Sequence, residues 1–242
     1  MELRLSPDHL IIFSDFRDVN IISKADLIFA DPPFGIGFKA KHRTYARKHR
    51  VYEYVEVPKD QYPQWIRDLA KWCYNALKPH GSMWLVSGWS NLREVLNAVH
   101  EAGFHMINHA IWHYNFGVYT KRRLTTSHYH LLYLSKHKTK YTFNKLQKYM
   151  EDVWYIRREF SSEPKAANEL PLELVKRCVL IGSNEGDLVI DPVLGSGTTM
   201  LACMLTNRRC VGIEINENLK ERILVKCRAD RISSYLGSGA YV

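Results

Sequence analysis

Two short stretches of the chain combine residue types that could do chemistry. Asp31-Pro32-Pro33-Phe34-Gly35 follows the apolar run Leu27-Ile28-Phe29-Ala30. Consecutive prolines donate no backbone hydrogen bonds and hold the chain extended. The stretch is therefore expected to be a stiff platform that presents the Asp31 carboxylate, backbone carbonyls and the Phe34 ring in fixed directions. That set suits a flat heterocycle carrying an exocyclic amino group: the acid and a carbonyl accept the amino hydrogens while the ring stacks on the base. A purely structural Asp-Pro turn is the alternative, and Pro33, Phe34 and Gly35 weigh against it.

The second stretch, Asp191-Pro192-Val193-Leu194-Gly195-Ser196-Gly197-Thr198-Thr199, follows Leu188-Val189-Ile190. Asp191 ends a strand, two glycines make a tight turn, and Thr198-Thr199 open a helix. Glycine is needed where a ligand approaches the backbone, and a helix amino end offers free N–H groups. Val211-Gly212-Ile213-Glu214 then places an acid 19 residues after Gly195, where a carboxylate can take both hydroxyls of a ribose. The lack of a lysine after the glycines excludes a phosphate-binding P-loop.

Buried strands must carry these loops. Short apolar runs bounded by turn residues recur at Ala25 to Ala30, Met83 to Ser87, Leu131 to Leu134, Leu188 to Ile190 and Val211 to Ile215. Amphipathic stretches long enough for helices lie between them: Tyr62 to Leu77, stopped by Lys78-Pro79-His80-Gly81, then Asn91 to Ala102, Leu170 to Ile181, and Thr198 to Thr206. The alternation predicts an α/β fold, a mostly parallel sheet with helices on both faces. The 242 residues, 46% hydrophobic, fit one domain better than two.

A formal net charge of +9 favours a polyanionic partner. The basic residues concentrate in two polar stretches, both read as loops. Lys39 to Arg50 holds six Lys or Arg and no acid, and His113 to His130 interleaves basic and aromatic residues. Cys73, Cys178, Cys203, Cys210 and Cys227 show no CxxC spacing, so neither a metal site nor a disulfide framework is expected. The amino-terminal residues carry no signal-peptide pattern, and a cytoplasmic location is expected.

In residue types and order, the two stretches resemble the permuted, β-group amino-group DNA methyltransferases, the N6-adenine and N4-cytosine family. Asp31-Pro32-Pro33-Phe34 matches the catalytic motif and Asp191 to Thr199 the cofactor motif, with Val193 in place of Phe. The resemblance implies an S-adenosylmethionine-dependent methyltransferase (Rossmann-like) fold with a seven-stranded sheet. It also implies direct methyl transfer to a flipped base in double-stranded DNA, without metal or cysteine nucleophile. The catalytic set becomes Asp31, Pro32, Pro33 and Phe34. The cofactor set becomes Asp15, Phe16, Asp31, Lys165, Asn168, Asp191, Pro192, Leu194, Gly195, Ser196, Gly197, Thr198, Thr199, Glu214, Ile215 and Asn216. Lys165 or Asn168 stands in for a His and Lys that relatives carry before the position of Pro171.

Phosphate contacts are expected from Lys39, Lys41, Arg43, Arg47, Lys48 and Arg50, and from Lys121, Arg122 and Arg123. The DNA-contact insertions are placed at about residues 39–60 and 114–162 of a single catalytic domain spanning 1–242. Asp31 leans toward adenine. Cytosine N4 transfer, an RNA methyltransferase and a silent nucleic-acid-binding subunit are the alternatives. A homodimer and a companion restriction enzyme are left open.

Overall fold

The computed structural model describes residues 1–36, 55–115, 117, 121–158, 169–228 and 233. One sheet of nine strands organises the chain: β1 (Glu2–Ser6), β2 (His9–Phe13), β3 (Ala25–Ala30), β4 (Leu77–Ser87), β5 (His105–His113), β6 (His128–Ser135), β7 (Val153–Tyr155), β8 (Leu188–Asp191) and β9 (Arg209–Glu214). Their spatial order is β1-β2-β9-β8-β3-β4-β6-β5-β7. Pairing is parallel from β2 through β9, β8 and β3 to β4, and antiparallel where β6 lies between β4 and β5.

Helices cover both faces, as alternating strands and helices require. α1 (Tyr62–Ala76) and α2 (Leu92–Glu101) pack on one face with Ile28, Met83 and Leu85; α3 (Leu172–Gly182) and α4 (Thr198–Leu205) pack on the other with Leu27, Phe29 and Trp84. A short α5 (Lys220–Lys226) follows β9. β3 carries the reason for this layering in its sequence. Leu27, Ile28 and Phe29 alternate between the two faces, and all three are buried. Burying each such side chain is worth roughly 1.5–3 kcal/mol, so β3 is anchored from both sides up to the residue before Asp31.

The expectation of seven strands is corrected to nine, and three strands without an apolar-run signal have a common cause. β1 is a half-exposed antiparallel edge, β7 is three residues long, and β5 is mostly exposed over its first half. None presents the uninterrupted apolar run that marks a strand buried on two faces. Lys78 to Gly81 follows the end of α1 at Ala76, as expected, but lies inside β4. Leu77 is already paired with Ala25, and the four polar residues form an irregularity inside β4 before Ser82 pairs with Leu27. The reading of His113 to His130 as wholly outside the core is also corrected at its ends. His113 closes β5, Tyr114 is buried, and His128 to His130 open β6.

Among the described residues no helix is long and apolar enough to cross a membrane. No cluster of His, Cys, Asp and Glu that could hold a metal ion occurs among them. All five cysteines are unpaired. Burial pushes the Cys73 and Cys178 thiols up, and that of Cys227 to about 12, so none of these three is a ready nucleophile.

Candidate active site

The two chemically distinctive loops leave neighbouring strands. β3 and β8 pair in parallel with Ile28 opposite Ile190, so Asp31 and Asp191 emerge side by side at the carboxyl edge of the sheet. β9 adjoins β8, with Asp191 opposite Gly212, and brings Glu214 to the same edge. Open α/β sheets bind ligands there. A cavity of about 690 Å³ occupies this edge. It is lined by Asp15, Phe16, Asp31, Pro32, Pro33, Phe34, Asp191, Pro192, Leu194, Gly195, Ser196, Thr198, Thr199, Glu214, Ile215 and Asn216.

The cofactor-type loop is wired internally. Thr199 Oγ1 donates to Asp191 Oδ2 at 2.6 Å, and the Val193 N–H donates to Asp191 Oδ1 at 3.0 Å. The Gly195 N–H donates to Glu214 Oε2 at 2.7 Å and the Asn216 N–H to Glu214 Oε1 at 2.8 Å. The Leu194 N–H donates to the Ile213 carbonyl at 2.8 Å, tying the turn to β9. Burial pushes the Asp191 carboxyl up to about 7, with the Thr199 and Val193 hydrogen bonds opposing; burial also raises Glu214.

Both glycines of the turn adopt left-handed backbone, φ +56° at Gly195 and +86° at Gly197, where side-chain residues are strained. They differ in what a side chain would meet. At Gly195 a Cβ would face open space, its nearest neighbour the Val193 carbonyl at 3.9 Å; at Gly197 it would strike Ile223 of α5 at 3.0 Å. Gly197 does not line the cavity. Gly197 packs its turn against α5, and Gly195 faces the cavity.

The platform is held by its backbone. The Asn91 side chain donates to the Phe34 carbonyl at 2.5 Å, and Glu56 accepts from the Gly35 N–H at 2.9 Å. Phe34 leans on Tyr129 with ring centroids 5.2 Å apart. No donor reaches the Asp31 carboxylate among the described residues. Desolvation pushes its pKa up to about 8, the Asp191 charge adds to the rise, and the Arg158 guanidinium opposes it.

Asp15 is more engaged than the sequence suggested. It accepts from the Arg17 backbone N–H at 2.9 Å and pairs with its guanidinium at 2.6 Å, which holds its carboxyl below the usual range. Phe16 is buried against Trp65 and Trp72 of α1. Lys39, Lys41, Arg43, Arg47, Lys48, Arg50, Lys165 and Asn168 lie outside the described residues. Lys121, Arg122 and Arg123 are exposed and away from the cavity; the Arg123 guanidinium lies 5.9 Å from the Trp89 ring.

Sequence reasoning missed several lining residues, among them Trp112, Tyr129, Arg158 and Glu169. It also missed Lys226 of α5, which donates to Ser196 Oγ at 2.8 Å and Thr198 Oγ1 at 3.0 Å and pairs with Glu169. This cation beside the glycine turn follows it by 30 residues, and no motif announces it. A single basic residue on a short helix carries no signal until the fold brings it back to the loop.

Comparison with known proteins agrees with this geometry. The family model for DNA methylases of the N6 and N4 type matches residues 25–226. Type II methyltransferase M.HpaI of Haemophilus parainfluenzae is 30% identical over 82% of this chain and 68% of its own length. M.BamHI of Bacillus amyloliquefaciens is 30% identical over 89% of this chain, which spans only 55% of that longer protein. DNA adenine methyltransferase YhdJ of Escherichia coli K12 is 28% identical over 79% of this chain and 72% of its length.

Two solved structures share the fold. The cytosine-N4-specific PvuII DNA methyltransferase has a TM-score of 0.74 at 17% identity, over 96% of this chain and 92% of that one. The M1.HpyAVI–SAM complex has a TM-score of 0.66 at 22% identity, over 90% and 98%. With the family model spanning both loops in their permuted order, the chain belongs to the N6/N4 family of amino-group DNA methylases.

Proposed function

We propose that this chain moves a methyl group from S-adenosylmethionine to the exocyclic amino nitrogen of a base flipped out of double-stranded DNA, adenine N6 in preference to cytosine N4. One observation carries the reading: a single cavity holds a carboxyl with no described donor, on a proline-stiffened platform, beside a glycine turn that ends in a ribose-type acid. The Asp residue at position 31 and the name of YhdJ favour adenine.

The residues present fit the cofactor. Gly195 leaves open space at the turn, and Glu214 lines the cavity with its oxygens oriented by the Gly195 and Asn216 N–H groups. Glu214 would take the ribose hydroxyls, and Leu194, Ile215 and Phe16 would flank the adenine. Bound there, S-adenosylmethionine supplies a methyl group on a positively charged sulfur.

The protein's share is placement. Flipping is required because the amino group is unreachable inside the stack. Phe34 stacks on the base, and Asp31 and the Pro32 carbonyl accept the two amino hydrogens. Those bonds draw the nitrogen toward tetrahedral geometry and localise the lone pair otherwise spread into the ring. S-adenosylmethionine would supply the methyl group to that nitrogen from its sulfur, and Asp31, whose raised pKa suits a proton acceptor, would take the surplus amino proton. Positioning and electrostatics supply most of the acceleration.

The segments 39–60 and 114–162 are the proposed DNA-contact parts of one catalytic domain. Within the second, residues 136–158 also build the core: Trp154 and Ile156 are buried, and the Asn144 side chain donates to the Leu180 and Ser183 carbonyls of α3 and its end.

The test is mass analysis of nucleosides from unmethylated DNA incubated with the protein and methyl-labelled cofactor. Labelled N6-methyladenine is expected. Labelled N4-methylcytosine would move the preference to the alternative base, and no labelled nucleoside would overturn the reading. Light scattering on the same preparation decides between monomer and homodimer.

A further inference from the structure

Arg158 stands on the wall of the same cavity, outside both sequence motifs. It follows β7, and its place is fixed through Ile156, whose N–H donates to the His113 carbonyl and whose carbonyl accepts from Trp112 Nε1 at 2.8 Å. The guanidinium carbon lies 4.2 Å from the ring centroid of Tyr114, 5.3 Å from Tyr129 and 5.6 Å from Trp112. A cation within about 6 Å of an aromatic face is attracted by the ring quadrupole, and here three rings share one cation. Tyr129 in turn leans on Phe34, so this aromatic wall runs on into the catalytic platform.

Among the described residues three rings and the Tyr114 hydroxyl, not acids, hold this guanidinium. No carboxylate lies within 4 Å of it among the described residues. Its Nε is buried with no hydrogen-bond acceptor among them. Guanidinium carries five donors in a rigid fork, and leaving a buried donor unmet costs about 1–3 kcal/mol. A site that keeps such a group on a cavity wall is built to gain an acceptor when a ligand arrives.

Asp31 lines the same cavity and is acceptor-only when ionised. Acceptor at one residue and donors at another match an amino-bearing heterocycle, which presents the complementary pair on adjacent atoms. The amino group supplies hydrogens, and the ring nitrogen next to its carbon (N1 of adenine, N3 of cytosine) supplies a lone pair. We propose that Arg158 donates to that ring nitrogen and reads the target base alongside Asp31. This role rests on the amino-methyl-transfer reading above.

The experiment is a cycle between protein and substrate. The recognition site is first mapped from methylated positions in the genome of an expressing host. Duplexes are then made with the natural target base or with its deaza analogue, in which C–H replaces the ring nitrogen. Wild type, Arg158→Met and Arg158→Lys are compared by kcat/KM. Wild type should lose about tenfold or more on the analogue, the scale of one missing hydrogen bond to a charged donor. Arg158→Met should lose a similar factor on the natural base and little further on the analogue. The analogue's altered amino reactivity acts on every variant and cancels.

Losses that multiply, with Arg158→Met as sensitive to the analogue as wild type, would overturn the role, as would a wild type indifferent to the analogue. Calorimetric cofactor binding reports whether Arg158→Met has folded. If it has not, Arg158→Lys gives the same cycle with charge kept and the planar fork lost, and its sensitivity should fall below that of wild type. A wild type that methylates no amino group sinks the function itself and is recognised separately.

Discussion

Asp191 and Asp31 leave adjacent parallel strands into one cavity, yet their carboxylates are treated differently. Asp191 accepts from Thr199 and Val193, and its neighbour Glu214 accepts from Gly195 and Asn216. Asp31 accepts from no described residue, although Asn91 and Glu56 tie down the backbone of its loop. The cofactor cradle therefore spends its polar groups on its own shape, whereas the platform fixes its backbone and leaves its acid open to the cavity. A satisfied network is rigid; a half-buried, desolvated acid with no described donor is costly until something binds it. Positioning and chemistry are thus assigned to different carboxylates a strand apart.

The sharpest break of that comparison is Asp31→Ala. Methyl transfer should fall roughly 100- to 1000-fold or more, the scale on which a single preorganised group acts at a transition state. Calorimetric cofactor affinity should change little, because the cradle does not lean on Asp31. The alanine variant should melt no lower than wild type at pH 8, since it deletes a desolvated acid rather than a bonded one. Retained activity would remove Asp31 from the mechanism. A large drop in melting temperature would erase the contrast with Asp191.

Much of the cradle was legible in the sequence, because local chemistry dictates it. A strand, two glycines at positive φ, a helix start and an acid at the next strand end are all written within 24 consecutive residues, Asp191 to Glu214. Asp31 to Phe34 was legible for the same reason. The elements of the sheet centre followed from apolar runs. The fourth side of the site was not legible. Trp112, Tyr129 and Arg158 come from β5, β6 and the segment after β7, and only tertiary packing brings them to the cavity, as it brings Lys226 of α5 back to the glycine turn. In sequence Trp112, Tyr129 and Arg158 are ordinary members of polar, aromatic stretches, outside the apolar run Leu131 to Leu134 that marks β6. Gly197 shows a subtler limit: the motif marks it as special, but only the fold says that α5 and not the ligand occupies its missing side chain.

The paired variants Gly195→Val and Gly197→Val sharpen the cradle's side of the comparison. Both force a side chain into left-handed backbone, at a cost of about 1–2 kcal/mol. Gly197→Val also meets Ile223 at 3.0 Å and should show the larger fall in melting temperature. Gly195→Val would point its methyls into the cavity and should show the larger fall in cofactor affinity, about tenfold beyond its partner. Normal calorimetric binding by Gly195→Val would place the cofactor elsewhere. Equal losses in both measurements would mean that the two glycines do one job.

The smallest expected effect lies in the pH dependence of stability without ligand. Asp31 has its pKa pushed up to about 8 and Asp191 to about 7, each mainly by desolvation. A carboxyl raised above its unfolded value near 4 favours folding most when protonated. Its contribution is therefore full below pH 4 and is lost as pH rises toward the folded-state value. Melting temperature of the ligand-free protein should fall between pH 5 and pH 8 from this source. Asp31→Asn, neutral and nearly isosteric, should match wild type at pH 5 and melt a few degrees higher at pH 8. Asp191 keeps its own share of the dependence in that variant, so the slope should be reduced and not abolished. Identical profiles for the two proteins would mean that Asp31 is solvated in the ligand-free cavity, and the distinction between a waiting acid and a wired one would go with it.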